Sequence, residues 1–127
     1  MGLADYGANA FLGVLNGVAP PTPLAWYLAL FSTVTDDASG GTEITGNGYA
    51  RQTITFGAPS GRLIRNTNAI LFPTATPDGW GQIVAAAIYD AAAGGNRWYH
   101  AQLLGTFPYV NPQGRFQVNI GAIAVEL

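Results

Sequence analysis

Near the start of the chain, apolar residues recur at Ala8, Phe11, Leu12 and Leu15, the i, i+3, i+4, i+7 stripe of a helix, with Asp5 placed to act as its N-cap. Gly17 can end that helix, and Pro20, Pro21 and Pro23 forbid its return. The spacing predicts one amphipathic helix over 5–16, tied to the rest by a stiff, extended Pro-rich link. Its apolar stripe needs cover, either from the chain's own sheet or from another subunit.

From Ala25 onward the period shortens. Trp26-Tyr27-Leu28-Ala29-Leu30-Phe31 is apolar on both faces and predicts a central strand. Residues 34–48, rich in Gly and Thr, predict a long loop, and Tyr49 to Phe56 alternates as a half-buried strand does. A turn is expected over Gly57 to Gly61, an edge strand over Arg62 to Arg65, and an apolar strand over Ala69 to Phe72, closed by Pro73. Gln82 to Tyr89 predicts one long strand, whose small alanines imply close approach by another sheet or subunit. Gly94 and Gly95, able to take positive φ, mark a hairpin connection over 90–96, after which Trp98 to Leu104 returns. Phe116, Val118 and Ile120 define one face of a further strand, and Ile123, Val125 and Leu127 close the pattern. Seven or eight short strands with turn signals about every ten residues predict an all-β fold, a β-sandwich or jelly-roll-like domain with one short N-terminal helix. The expected division is a helix and Pro-rich arm over 1–24 and a single β domain over 25–127.

Composition changes this picture at one point. Charged residues make up 9% of the 127 positions, against roughly 25% in an average soluble domain. A free protein carries a denser mixed-sign surface, so much of this one is expected to be covered by neighbours or to be neutral and polar. The charges fall mainly in loops and at strand ends, and the helix stripe and the alanine-rich strand carry almost none. Five scattered arginines and a net charge of −2 offer no basic patch for a phosphate backbone, so no nucleic-acid partner is expected. No apolar run approaches the roughly 20 residues of a spanning helix, and Met1 to Asp5 lacks the basic start of a signal peptide. Synthesis in the cytoplasm and no membrane partner are the expectations.

Chemical motifs are sparse. With no Cys, thiolate metal sites are excluded. The single His100 lies within a predicted strand, where a partly buried structural role outweighs that of a catalytic base. Ser60 in Gly57-Ala58-Pro59-Ser60-Gly61 sits one position late for a nucleophile elbow, and Gly46-Asn47-Gly48 is followed by no Lys or helix to hold a phosphate. Asp36, Asp37, Ser39 and Glu43 share a loop and could offer oxygen ligands to Ca²⁺, but the spacing misses the EF-hand pattern. Asp78 and Asp90, at strand-to-loop junctions, are expected to accept backbone N–H bonds. No enzyme activity, cofactor or metal is expected. Trp80, within Asp78-Gly79-Trp80-Gly81, is the indole with the strongest claim to exposure, and hence to stacking on a sugar.

Taken in order, Asp5-Tyr6 leading to Leu12 and Leu15, Trp26 to Phe31, Gly40-Gly41-Thr42-Glu43-Ile44, Gly48-Tyr49-Ala50-Arg51, Phe72 to Thr76, and Tyr89-Asp90-Ala91-Ala92 with Gly94-Gly95-Asn96 resemble a family of small tailed-bacteriophage virion proteins, labelled as tail fibre or of the capsid cement and decoration type. Gly79 separates Asp78 from Trp80 where the family pattern runs Asp-Trp-Gly. The resemblance implies a non-enzymatic, β-rich virion component present in many copies. The chain has no stalk repeat and no heptads, which favours a compact clamp on a lattice over a fibre tip. The expected function is therefore capsid cement or decoration, a homo-oligomer, by analogy a trimer, seated on the major capsid protein or another virion protein. The alternative is a tail or tail-fibre-associated module that binds host glycan through Trp80 and nearby tyrosines. Residues expected at partner interfaces are Phe11, Leu12, Leu15, Trp26, Tyr49, Arg51, Trp80, Val84, Ala86 and Trp98.

Overall fold

The computed structural model describes residues Met1–Leu127. Its strands in chain order are β1 (Gly2–Leu3), β2 (Trp26–Phe31), β3 (Gln52–Ile54), β4 (Leu63–Arg65), β5 (Ile70–Leu71), β6 (Gly81–Gln82), β7 (Ala85–Tyr89), β8 (Arg97–Gln102), β9 (Tyr109–Val110), β10 (Gln117–Val118) and β11 (Ala124–Glu126). One helix, α1 (Asp5–Leu12), runs on into a 3-10 turn at Gly13–Asn16. The all-β class with a single short N-terminal helix is as the pattern predicts. There are eleven strands rather than seven or eight, because the strand expected over Gln82 to Tyr89 is divided and two short strands, β1 and β9, are added.

Five of them form one antiparallel sheet in the order β1-β8-β7-β2-β3. The doubly apolar β2 is interior to it, with Leu28 opposite Ile88 and Ala29 opposite Ala87. The second layer is three separate ribbons, β5 with β10, β4 with β11, and β6 with β9. Between the layers lies the main core, where Leu28, Leu30, Ile54 and Ile88 of the large sheet meet Ile70, Phe72, Ile83, Val118 and Val125. On the opposite face of the large sheet, Ala29, Phe31, Ala85 and Ala87 form a smaller cluster.

Four differences from the expected pattern have local causes. The strand expected over Gln82 to Tyr89 breaks at Ile83 and Val84, because the chain changes neighbours there: β6 pairs with β9, while β7 pairs with β2 and β8. Tyr49 to Phe56 contracts to β3, since Tyr49 and Arg51 turn their side chains to loop partners and Phe56 keeps only a bridge to Asn66. The tight turn after β3 lies at Gly61 and Arg62, both at positive φ, with Ser60 and Leu63 paired across it. Ile120 lies outside the core because β10 ends at Val118.

At the N-terminus the chain adds an edge strand that the pattern did not predict. Gly2 and Leu3 pair with His100 and Tyr99 of β8, and the Met1 ammonium donates to the Ala124 carbonyl at 3.1 Å. Ala4, not Asp5, is the N-cap of α1; it has an extended backbone and no side-chain cap bond. Its N–H is held by the Trp98 carbonyl at 2.8 Å, and that of Asp5 by the Asp37 carbonyl at 2.7 Å. Asp5 instead stands in the first helical turn, where its charge opposes the positive end of the helix dipole. Gly17, at φ 77°, ends the helical segment as the sequence predicts.

Candidate functional site

The structure offers two places where function could reside: the N-terminal face and a set of charged side chains that hold loops. The first is built on Trp98, which is buried and rimmed edge-on by Tyr6, Phe11 and Trp26 at ring-centroid distances of 5.3, 6.0 and 5.1 Å. Gly7 explains how the helix gets so close. A Cβ there would lie 2.7 Å from the Trp98 carbonyl oxygen, so only glycine lets the helix backbone seat against β8.

Seating the helix through Gly7 turns the leucines of the predicted stripe away from the sheet, while Ala8 is half-buried and Phe11 keeps one edge on Trp98. Leu12 is 61% exposed and Leu15 88%, and Val14, Val18 and Leu24 stand out in solvent beside them. The chain's own sheet therefore leaves Leu12 and Leu15 uncovered. Between helix and arm lies a groove of about 180 Å³, walled by Phe11, Pro20, Pro21 and Pro23 and floored by Trp26 and Trp98.

The second place centres on Arg51, whose side chain is 6% exposed. Its guanidinium meets Glu43 as a fork, Nε to Oε2 at 2.9 Å and an Nη to Oε1 at 2.8 Å. It also donates to the Ala91 and Gly94 carbonyls and lies 3.8 Å from the centroid of the Tyr89 ring. Tyr49 donates its hydroxyl proton to Glu43 at 2.8 Å and accepts from the Leu30 N–H at 3.0 Å. Burial opposes the Glu43 charge, but the bonds from Arg51 and Tyr49 outweigh it and hold the carboxyl below its ordinary value. Burial, reinforced by the Glu43 carboxylate at its hydroxyl, pushes the Tyr49 phenol far up. This constellation joins the loop after β2 to the β7–β8 connection.

Arg97 does the same for an earlier part of that loop. It donates to the Asp36 and Gly40 carbonyls at 2.8 and 3.0 Å and to the Tyr89 hydroxyl at 3.1 Å, and lies over Phe31. His100 is half-buried, with Nδ1 2.8 Å from the Thr35 hydroxyl and Nε2 2.7 Å from Asp37. The three loop acids thus take separate partners: Asp36 caps the Ala38 and Gly40 N–H groups, Asp37 meets His100, and Glu43 meets Arg51. They do not converge on a common cation position.

Several predicted interface residues turn out to be internal. Trp80 is only 8% exposed, boxed by Tyr49 and Phe72, and its indole N–H donates to the Asn47 carbonyl at 3.0 Å. The turn chemistry around it folds the indole inward instead of displaying it. Trp98 and Ala86 are buried and Val84 is half-buried, so the close approach that the alanines imply is satisfied within the chain. Tyr49 and Arg51 serve loops of their own chain, and Trp26 is half-buried against Trp98. Phe11, Leu12 and Leu15 alone of that set stand exposed. Pattern reasoning missed Val14, Val18 and Leu24 beside them; the absence of any charge from 6 to 35 was the available signal. Asp90 behaves as predicted. Burial works against its charge, yet the Asn96 N–H and amide and the Trp98 indole together hold its carboxyl below the ordinary value.

An all-β chain with a stapled loop system and a neutral apolar N-terminal face has the build of a component that works through assembly, and comparison with known proteins agrees. The sequence model of a phage virion family matches nearly the whole chain, residues 2–126. That family is the podophage GP4 fiber I protein gp80, and the chain belongs to it; it is a virion-associated structural protein. No curated protein matches the chain significantly.

Proposed function

We propose that this chain is a fiber-associated structural module of the phage particle, non-catalytic and held in place by protein–protein contacts. The observation that carries this reading is the match of residues 2–126 to a family described as a fiber protein. Two features of the molecule support it. Its single histidine is engaged between Thr35 and Asp37, and the Thr35 hydroxyl is buried, which leaves no accessible nucleophile beside a base. Seven of its thirteen exposed large apolar residues belong to α1, the 3-10 turn and the arm, as in a surface meant for cover.

The capsid-cement reading shares that second feature and draws on the low charge density, 12 charged side chains over 6955 Å² of accessible surface. The glycan-binding variant of the fiber reading loses the indole among its proposed contacts, because Trp80 is enclosed. Gold-labelled antibody against the chain, imaged on intact virions, tests the assignment. Label on the tail or its fibers is the expected result; label spread over the head would overturn it in favour of a cement protein.

A further inference from the structure

We infer that the N-terminal face, formed by the exposed stripe of α1, the 3-10 turn and the Pro-rich arm, is a self-association surface whose occupant is the same face of a second copy of this chain. The inference rests on the reading of the chain as an assembled virion component, but not on which part of the particle it occupies. Three observations carry it.

The first is position. Of the large apolar side chains that stand exposed, most lie between Tyr6 and Val34, and the side chains that matter are Phe11, Leu12, Val14, Leu15, Val18 and Leu24. The five aliphatic residues of this set stand outward even though α1 lies directly on β8, because the helix contacts the sheet through Gly7, while Phe11 keeps one edge against Trp98.

The second is area. Leu12, Leu15 and Leu24 are 61%, 88% and 107% exposed, with Val14 and Val18 more than half exposed among them, a concentration of open aliphatic surface in a short stretch of chain that a monomer rarely leaves uncovered and that a stable interface would bury. The open groove of about 180 Å³ between helix and arm gives aliphatic side chains of the opposing copy a place to enter.

The third is charge, and it selects the occupant. Residues 6–35 contain no Asp, Glu, Lys, Arg or His. A partner with a charged docking face would find no counter-charge there, and burying its charges unpaired would cost several kcal/mol each. Apart from Asp5 in the first turn of α1, the identical face carries none, so the leucines of two copies meet without desolvating a charge, although each chain has a net charge of −2. Such a face-to-face arrangement is isologous.

Sedimentation velocity on the full 127-residue chain, from low to high micromolar concentration, tests the inference. The expected result is reversible self-association that a Leu15→Asp/Leu24→Asp double variant weakens by about 30-fold or more. Both side chains stand in solvent, so the melting temperature should hold, and near-ultraviolet circular dichroism verifies that the variant is folded. Leu104→Asp, an equally exposed apolar position outside the face, should leave association unchanged. A wild-type chain that stays monomeric throughout, a double variant that associates as before, or a Leu104→Asp chain that loses association equally would each overturn the inference. The labelling experiment on virions is independent of all three outcomes, so either proposal can fail alone.

Discussion

The N-terminal face and the Arg51–Arg97 region use side chains in opposite ways. On the N-terminal face, neutral aliphatic residues stand in water. Around the two arginines, guanidinium groups are withdrawn from water and tied to loop carbonyls, a carboxylate and aromatic rings. In a chain with only five positive residues, committing two of them inward makes an already charge-poor exterior poorer still. The contrast shows what the low charge count does in this molecule: the charges hold loops in place, and the surface that remains is suited to contact rather than to free solution.

Breaking the arginine region should have the largest effect. Glu43→Ala strips the buried Arg51 of its carboxylate and should cost about 2–3 kcal/mol, below the ~3–5 of a fully enclosed pair because Glu43 is partly open to water. Urea unfolding measures it; a loss under about 0.5 kcal/mol would mean that the fork is merely a surface pair. Next comes Gly7→Ala. Its Cβ would press on the Trp98 carbonyl and lift α1 from β8, at about 1–3 kcal/mol. Tryptophan fluorescence should shift in parallel as Trp98 gains solvent, and an unchanged spectrum would argue against that seating.

Acid should act on the arginine region, and on the N-terminal face only through the Asp90 carboxylate that accepts from the Trp98 indole. The Glu43 carboxyl titrates lower when folded than its ordinary 4.5, so the unfolded chain takes up the proton first. The stability this group contributes is complete above about pH 4.5 and is lost as pH falls through the lower folded value. Asp90 adds to the same limb. A Glu43→Gln chain, already weaker at pH 7, should show a shallower decline in melting temperature below pH 4.5; curves that run parallel to wild type would remove Glu43 from the acid response. The smallest effect is expected on the N-terminal face: Leu15→Ser should change folding stability by no more than about 0.5 kcal/mol. A drop of several kcal/mol would show that Leu15 packs within its own chain after all.

Much of the fold was legible in the residues. The apolar run from Trp26 to Phe31 predicts an interior strand whatever its neighbours, because both faces must be buried. Gly94 and Gly95 take the positive φ values of 61° and 72° that their hairpin needs, and Gly17 ends the helical segment. The site was less legible. Trp80 looks displayed in Asp78-Gly79-Trp80-Gly81, yet its indole finds the Asn47 carbonyl more than thirty positions away in sequence. Glu43 reads as one of three loop acids until the fold brings Arg51 and the β7–β8 connection against it.

Sequence alone determined what is local: the all-β class, the helix and its arm, the places where the backbone must turn, and a charge deficit that concentrates nowhere more than in residues 6–35. Tertiary structure decided which apolar residues are covered and which charges are free. Periodicity marks a stripe as apolar, but which side of the helix meets the sheet depends on how close the backbones can come. Here a single glycine against a carbonyl oxygen set that distance and left the leucines facing out.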